Sequence, residues 1–176
     1  MELLETRLEG PKLIAPRVIG DDRGFFAETY RHSVFAELGI PEPMVQDNHS
    51  RSDRGIVRGM HFQIGDGAAK LVRCGRGAIY DVVVDLRPAS PTYRNWASFE
   101  RRDDEQVTLY VPTGCAHGFQ TLTDPANVSY RIDRAHDPTE DVSIAFDDPE
   151  LAHPVAARSE WDRFAPPLAA AMKLLT

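Results

Sequence analysis

The chain has 176 residues, 42% of them hydrophobic and 27% charged, a balance that suits one soluble globular domain and excludes disordered and collagen-like classes. No run approaches the roughly 18 consecutive apolar residues of a membrane-spanning helix, so none is expected. The net charge of −7 repels a nucleic-acid backbone on average, although seventeen arginines against three lysines leave room for a local phosphate-binding fork.

The start, Met1 to Arg7, carries two glutamates and no apolar run, unlike a secretory leader, so a cytoplasmic protein is expected. From Leu13 to Phe146, short β-branched and aromatic stretches alternate with glycine, proline, aspartate and asparagine. This pattern predicts an all-β, antiparallel sandwich or barrel. Strands are expected over Gly24–Arg31, Lys70–Cys74, Ala78–Leu86, Gln106–Val111 and Asn127–Asp133, with Ala78–Leu86 apolar enough to be central. Gly75-Arg76-Gly77 predicts a tight hairpin between the second and third of these. A short helix is expected over Ser33–Gly39, ended by its glycine, and another from Pro166 to Leu175, opened by proline. Cys74 and Cys115 lack any C-x-x-C spacing and are expected to be buried small hydrophobes in a reducing compartment.

Two histidines stand in settings that point to chemistry. His117 lies in Pro112-Thr113-Gly114-Cys115-Ala116-His117, which resembles the second signature of the cupin superfamily of small jelly-roll barrels. His61, in Arg58-Gly59-Met60-His61-Phe62-Gln63, resembles the first signature only in part. Gln63 takes the place of the second metal-ligating histidine, and Lys70 sits where a carboxylate would be needed. An ammonium repels a divalent cation and offers no lone pair, so a metal is disfavoured.

Further fragments are collinear with these: Asp22-Arg23-Gly24-Phe25-Phe26-Ala27-Glu28, Val45-Gln46-Asp47-Asn48-His49-Ser50, Lys70-Leu71-Val72-Arg73, Asp81 to Arg87, Ser90-Pro91-Thr92 and Tyr130-Arg131. Together they resemble the dTDP-4-dehydrorhamnose 3,5-epimerase family from residue 13 to about 165. The resemblance implies a single cupin-like epimerase domain over residues 1–176, an antiparallel jelly roll with a C-terminal helix, working as a homodimer without cofactor on dTDP-4-dehydro-6-deoxy-D-glucose towards dTDP-L-rhamnose. Hydrogens on the carbons flanking a ketone are acidic, so such a reaction needs a base, an acid facing it and a group to hold the enolate oxygen.

The resemblance assigns these parts. His61 is the base, oriented by Asp162, and imidazole suits the task because its ordinary pKa near 6.5 leaves it mostly neutral in the cell. Tyr130 is the opposite-face acid and Lys70 the cation at the keto oxygen. Arg23 and Arg58 resemble diphosphate clamps. Phe26 and Glu28 resemble nucleoside contacts supplied by the neighbouring subunit. Gln46, Asn48 and His117 are candidate sugar contacts, and Asp81 a support for a neighbouring histidine. For each, a structural role in core, salt bridge or edge is the competing reading.

Two departures from the family pattern stand out. His136 occupies a place where the family often has a tyrosine, which could restrict the reaction to one carbon. The segment after Leu151 is short and reads Ala152-His153-Pro154-Val155, so the placement of Asp162 rests on a weaker match. A sugar-nucleotide 3- or 5-monoepimerase, a metal-dependent cupin using His61 and His117, and a non-catalytic sugar-nucleotide binder remain as alternatives.

Overall fold

The computed structural model describes residues 1–150 and 165–174. In chain order its strands are β1 (Glu2–Leu4), β2 (Lys12–Ala15), β3 (Val18–Asp21), β4 (Gly24–Ala27), β5 (Gln46–Ser52), β6 (Val57–Gln63), β7 (Lys70–Arg76), β8 (Ala78–Asp85), β9 (Trp96–Arg102), β10 (Thr108–Val111), β11 (Cys115–Thr121), β12 (Ala126–Ile132) and β13 (Asp141–Ser143). The helices are α1 (His32–Glu37) and α2 (Leu168–Ala171). One sheet has the order β1-β2-β10-β7-β12-β5 and a second β13-β6-β11-β8-β9, while β3 and β4 pair with each other apart from both. The pairings are antiparallel, and the two sheets face each other as a jelly roll.

Three apolar layers hold this arrangement. Between the sheets, Val72, Leu109 and Val128 of the first meet Ile79, Val83 and Phe119 of the second. Behind the second sheet, Met60, Phe62, Val82 and Val84 pack against Ile144, Phe146 and Leu168. Strand β8 therefore buries both of its faces, which is why it reads as an almost continuous apolar run, and β11 and β9 flank it as a central strand. On the outer face of the first sheet, Phe35 of α1 packs with Ile14, Ile40 and Leu71.

The hairpin expected at Gly75-Arg76-Gly77 does not form. Strand β7 pairs with β10 and β12, whereas β8 pairs with β11 and β9, so the chain at Gly77 crosses from one sheet to the other. A glycine turn between two apolar runs fits either connection, and only the packing of the two sheets separates them. Strand β4 is shorter than expected because Arg31 is already the N-cap of α1. Strand β10 starts late because Gln106 adopts φ +54 and turns its side chain to Asp103 and Arg73. Helix α2 continues as a 3-10 turn over Met172–Leu174, and the N–H of Leu168 donates to Asp148 at 2.7 Å. Both cysteines are buried, and burial pushes the Cys74 thiol up to about 11 and that of Cys115 to about 12, so they are inert hydrophobes.

At the end of β8, Asp85 pins the following loop. It accepts hydrogen bonds from the Arg87 side chain at 2.9 Å, from Ser90 at 2.5 Å and from Thr92 at 2.7 Å. Burial pushes its carboxyl up, but these donors outweigh burial and hold it at about 2.

Candidate active site

A cavity of about 710 Å3 opens between the sheets, with walls from β5, β7 and β12 on one side and β6 and β11 on the other. Arg58, His61, Lys70, His117 and Tyr130, all expected as site residues, line it together.

The local cause of this convergence is a bulge. In a regular strand, residues 58 and 61 point to opposite faces, because side chains alternate with a period of two. Here His61 lies opposite His117, but Arg58 lies opposite Phe119, so β6 spends one residue more than β11 between these pairs. Both Arg58 and His61 therefore face the cavity, while Met60 and Phe62 turn to the core behind. The bulge relies on Gly59, at φ +120. A Cβ there would stand 2.4 Å from the Cα of Gly118 and 2.8 Å from the carbonyl oxygen of His117.

His61 stands on the wall formed by the second sheet, and Tyr130 on the wall formed by the first. Burial raises the Tyr130 phenol, with Asp141 adding to the effect, so it stays protonated at neutral pH. Lys70, on β7, donates to the His61 carbonyl at 3.4 Å, and burial lowers its ammonium to about 8 against the pull of Asp141. Arg58 is steadied by donating from Nε to Ser52 Oγ at 2.8 Å.

His117 is the most enclosed member. Its Nε2 lies 2.6 Å from Asp81 Oδ1, the histidine support expected of Asp81, and burial lowers the imidazole's pKa despite that carboxylate. Gln46 and Asn48 are bonded to each other at 2.9 Å and share the face of β5 that carries Ser50 and Ser52 into the cavity. Gln46 also accepts from the backbone N–H of His136, whose ring pairs with Asp141.

Other expected site residues are not brought here within one chain. Arg23 and Phe26 lie on the β3–β4 hairpin, with Arg23 paired to Asp21 and Phe26 69% exposed, beside a separate shallow hollow. Glu28 holds Arg31 through a two-pronged ion pair. Arg23 and Arg58 thus do not meet at one anion in the single chain. Asp162 lies outside the described residues. Gln63 is turned to Asp141, and among the described residues no group of three or more His, Cys, Asp or Glu side chains is placed to hold a metal ion.

The sequence reading missed Ser52 and Arg101. The alternation of β5 carries Ser52 onto the face of Gln46 and Asn48, and that of β9 carries Arg101 onto the face of Ala97 and Phe99. These two periodicities were the available signals.

Comparison with known proteins places the chain in a family. The model of the family described as dTDP-4-dehydrorhamnose 3,5-epimerase matches residues 5–170. The chain is 43% identical over 154 residues to dTDP-4-dehydrorhamnose 3,5-epimerase of Escherichia coli K12, covering 86% of this chain and 83% of that protein. It is 41% identical to dTDP-4-dehydrorhamnose 3-epimerase of Streptomyces niveus, covering 86% and 74%. The crystal structure of dTDP-6-deoxy-D-glucose-3,5-epimerase from Legionella pneumophila Philadelphia 1, in complex with dTDP-4-keto-L-rhamnose, superposes with a TM-score of 0.93 at 35% identity, covering 99% of this chain and 96% of that one. A fold and a sequence that agree over most of the chain leave one assignment: the chain belongs to the dTDP-4-dehydrorhamnose 3,5-epimerase family.

Proposed function

We infer that the protein is a carbohydrate epimerase that inverts carbons 3 and 5 of dTDP-4-dehydro-6-deoxy-D-glucose on the way to dTDP-L-rhamnose. The observation that carries this reading is one cavity with an imidazole and a protonated phenol on walls from different sheets and an ammonium beside them. His61 takes the proton next to the ketone. The negative charge that develops on the keto oxygen is held by Lys70, where exclusion of water strengthens the attraction. Tyr130 then delivers a proton to the other face of the same carbon. Both steps are proton transfers without net oxidation, so the chemistry asks for no cofactor.

Arg58 suits the diphosphate, and Gln46, Asn48 and His117 suit the sugar's oxygens. Asp162, carried over by family resemblance alone, is assigned the orientation of His61. The exposed hairpin, with Val18, Ile19, Phe25 and Phe26 at 42, 55, 57 and 69%, suits burial against a second copy, whose Arg23, Phe26 and Glu28 would then reach the nucleotide end of this cavity. The substrate is a dTDP-sugar, and the assembly a homodimer.

The test is solvent exchange. Incubation of the 4-keto sugar nucleotide in heavy water is expected to place deuterium at carbons 3 and 5, and His61→Ala to abolish it at both. Label at carbon 3 alone would make the protein a monoepimerase, a reading favoured by the likeness to the Streptomyces niveus 3-epimerase. Label at neither carbon would overturn the proposal.

A further inference from the structure

Behind His117 lies a charged group that the reaction scheme above does not use. Arg101, on β9, is 2% exposed and reaches across the interior, donating from Nη2 to the carbonyl oxygen of Val72 on β7 at 2.7 Å. Its Nη1 stands 3.4 Å from Asp81 Oδ2, while the other oxygen of that fully buried carboxylate meets His117. The three side chains form one line from the sandwich interior to the cavity.

The line is a poor stabiliser. Among the described residues, Arg101 Nε and Nη1 and Asp81 Oδ2 are buried without a hydrogen-bond partner, and a buried ion pair with unsatisfied atoms is commonly matched or bettered by apolar side chains of the same size. Ala97 and Phe99, on the same face of β9, pack into the apolar interior, so the neighbours of Arg101 along the strand are themselves hydrophobic. What a methionine there could not supply is a positive charge.

That charge has a definite consequence for His117. Its imidazole is faced by Asp81 from β8, His61 and Arg58 from β6, Lys70 from β7, Tyr130 from β12 and, through Asp81, Arg101 from β9. With Arg101 in place, the buried carboxylate is balanced and needs no proton from the ring. We propose that Arg101 is a positioning residue for the epimerisation site, balancing Asp81 so that His117 stays neutral, with its proton on Nε2 and its Nδ1 lone pair offered to the cavity. Without Arg101, Asp81 is a lone buried negative charge, and the nearest way to neutralise it is a proton on His117. An imidazolium there would repel the Lys70 ammonium, whose hold on its proton is already weakened, and the charge on the keto oxygen would lose its partner. The catalytic part of this inference rests on the epimerase reading, but the protonation part does not.

The experiment uses nitrogen-15 spectra of the histidine rings in the full chain without substrate, together with steady-state kinetics. The wild type is expected to show His117 neutral and protonated at Nε2 from pH 6 to 8. Arg101→Met is expected to show an imidazolium at pH 7 and a turnover lowered on the order of tenfold, as when a partner behind a ligating group is removed, with KM changed less than about threefold. Arg101→Lys should restore both. If the charge acts through Asp81, adding Arg101→Met to Asp81→Asn should change turnover no further.

Folding of that double variant where Arg101→Met alone does not fold would itself support charge balance, and failure of both to fold would assign Arg101 to packing and overturn the proposal. A wild-type imidazolium at pH 7, or a neutral His117 in folded Arg101→Met, would also overturn it. A protein that never exchanges substrate protons but shows the expected ring spectra would sink the epimerase reading and leave the charge balance standing.

Discussion

Replacing Gly59 by alanine tests whether the bulge in β6 builds the site. The new Cβ would meet the Cα of Gly118 at 2.4 Å and the His117 carbonyl at 2.8 Å, both backbone atoms that no side-chain rotation can move aside. A non-glycine residue at φ +120 adds about 1–3 kcal/mol of backbone strain, and overpacking a well-filled site costs about 1–3 kcal/mol. Together these come to roughly 2–6 kcal/mol, a large part of the ~5–15 kcal/mol that stabilises a domain. At about 2–4 °C per kcal/mol for a chain of this size, thermal denaturation should show Tm lower by roughly 4–24 °C. The strain falls between β6 and β11, so the variant that remains folded at 25 °C has His61 and His117 displaced. A shift of about 1 Å at a reacting group costs on the order of 10²-fold in rate. Gly75→Ala, whose Cβ finds nothing closer than 3.8 Å, is the control and should leave both quantities unchanged. A Gly59→Ala protein with Tm within 2 °C and turnover within twofold of the wild type would refute the reasoning.

Lys70→Met should lower turnover on the order of 10²–10³-fold, the usual loss for one oxyanion partner. In the wild type, activity should fall as pH rises through about 8, where the Lys70 ammonium gives up its proton, and the variant's pH–rate profile should lack that step. Tyr130→Phe should retain deuterium exchange better than inversion; equal loss of both would remove the phenol as the acid. Asp85 is held at about 2 against an ordinary 3.8, so its contribution of about 2 kcal/mol is present above pH 4 and lost as pH falls from 4 to 2. Acid titration of stability should be correspondingly flatter in Asp85→Asn, and an unchanged slope would contradict the role given to that loop. The proposed homodimer predicts that the wild type sediments as a dimer and that Phe26→Ser sediments as a monomer with weakened nucleotide binding; a monomeric wild type would refute the homodimer, and a variant dimer as tight as the wild type would move the interface elsewhere.

The reach of the sequence differs from residue to residue. Strand β8 was legible because an apolar run buried on both faces looks the same in any surroundings, and α1 because Gly39 stops it. The set Arg58, His61, Lys70, His117 and Tyr130 was legible through family resemblance, since those side chains lie in fragments whose order and spacing are specific. The resemblance offered Asp81 as support for a neighbouring histidine, and only the structure names that histidine as His117. The connection at Gly77 was misread because a turn's residues specify its bend and not which sheet the next strand joins.

The sequence by itself determined an antiparallel β protein, its central strand and its short helices, and through family resemblance it offered the side chains expected to move a proton beside a ketone. Only the tertiary structure decided which of them face one another. Facing depends on register, and a single extra residue at Gly59 and Met60 reverses the side of the sheet on which Arg58 stands relative to His61. Burial was decided at the same level. Arg101 lies in a charged stretch of β9, and only the first sheet, packed over it through Val72 of β7, turns that cation into the buried counter-charge of Asp81.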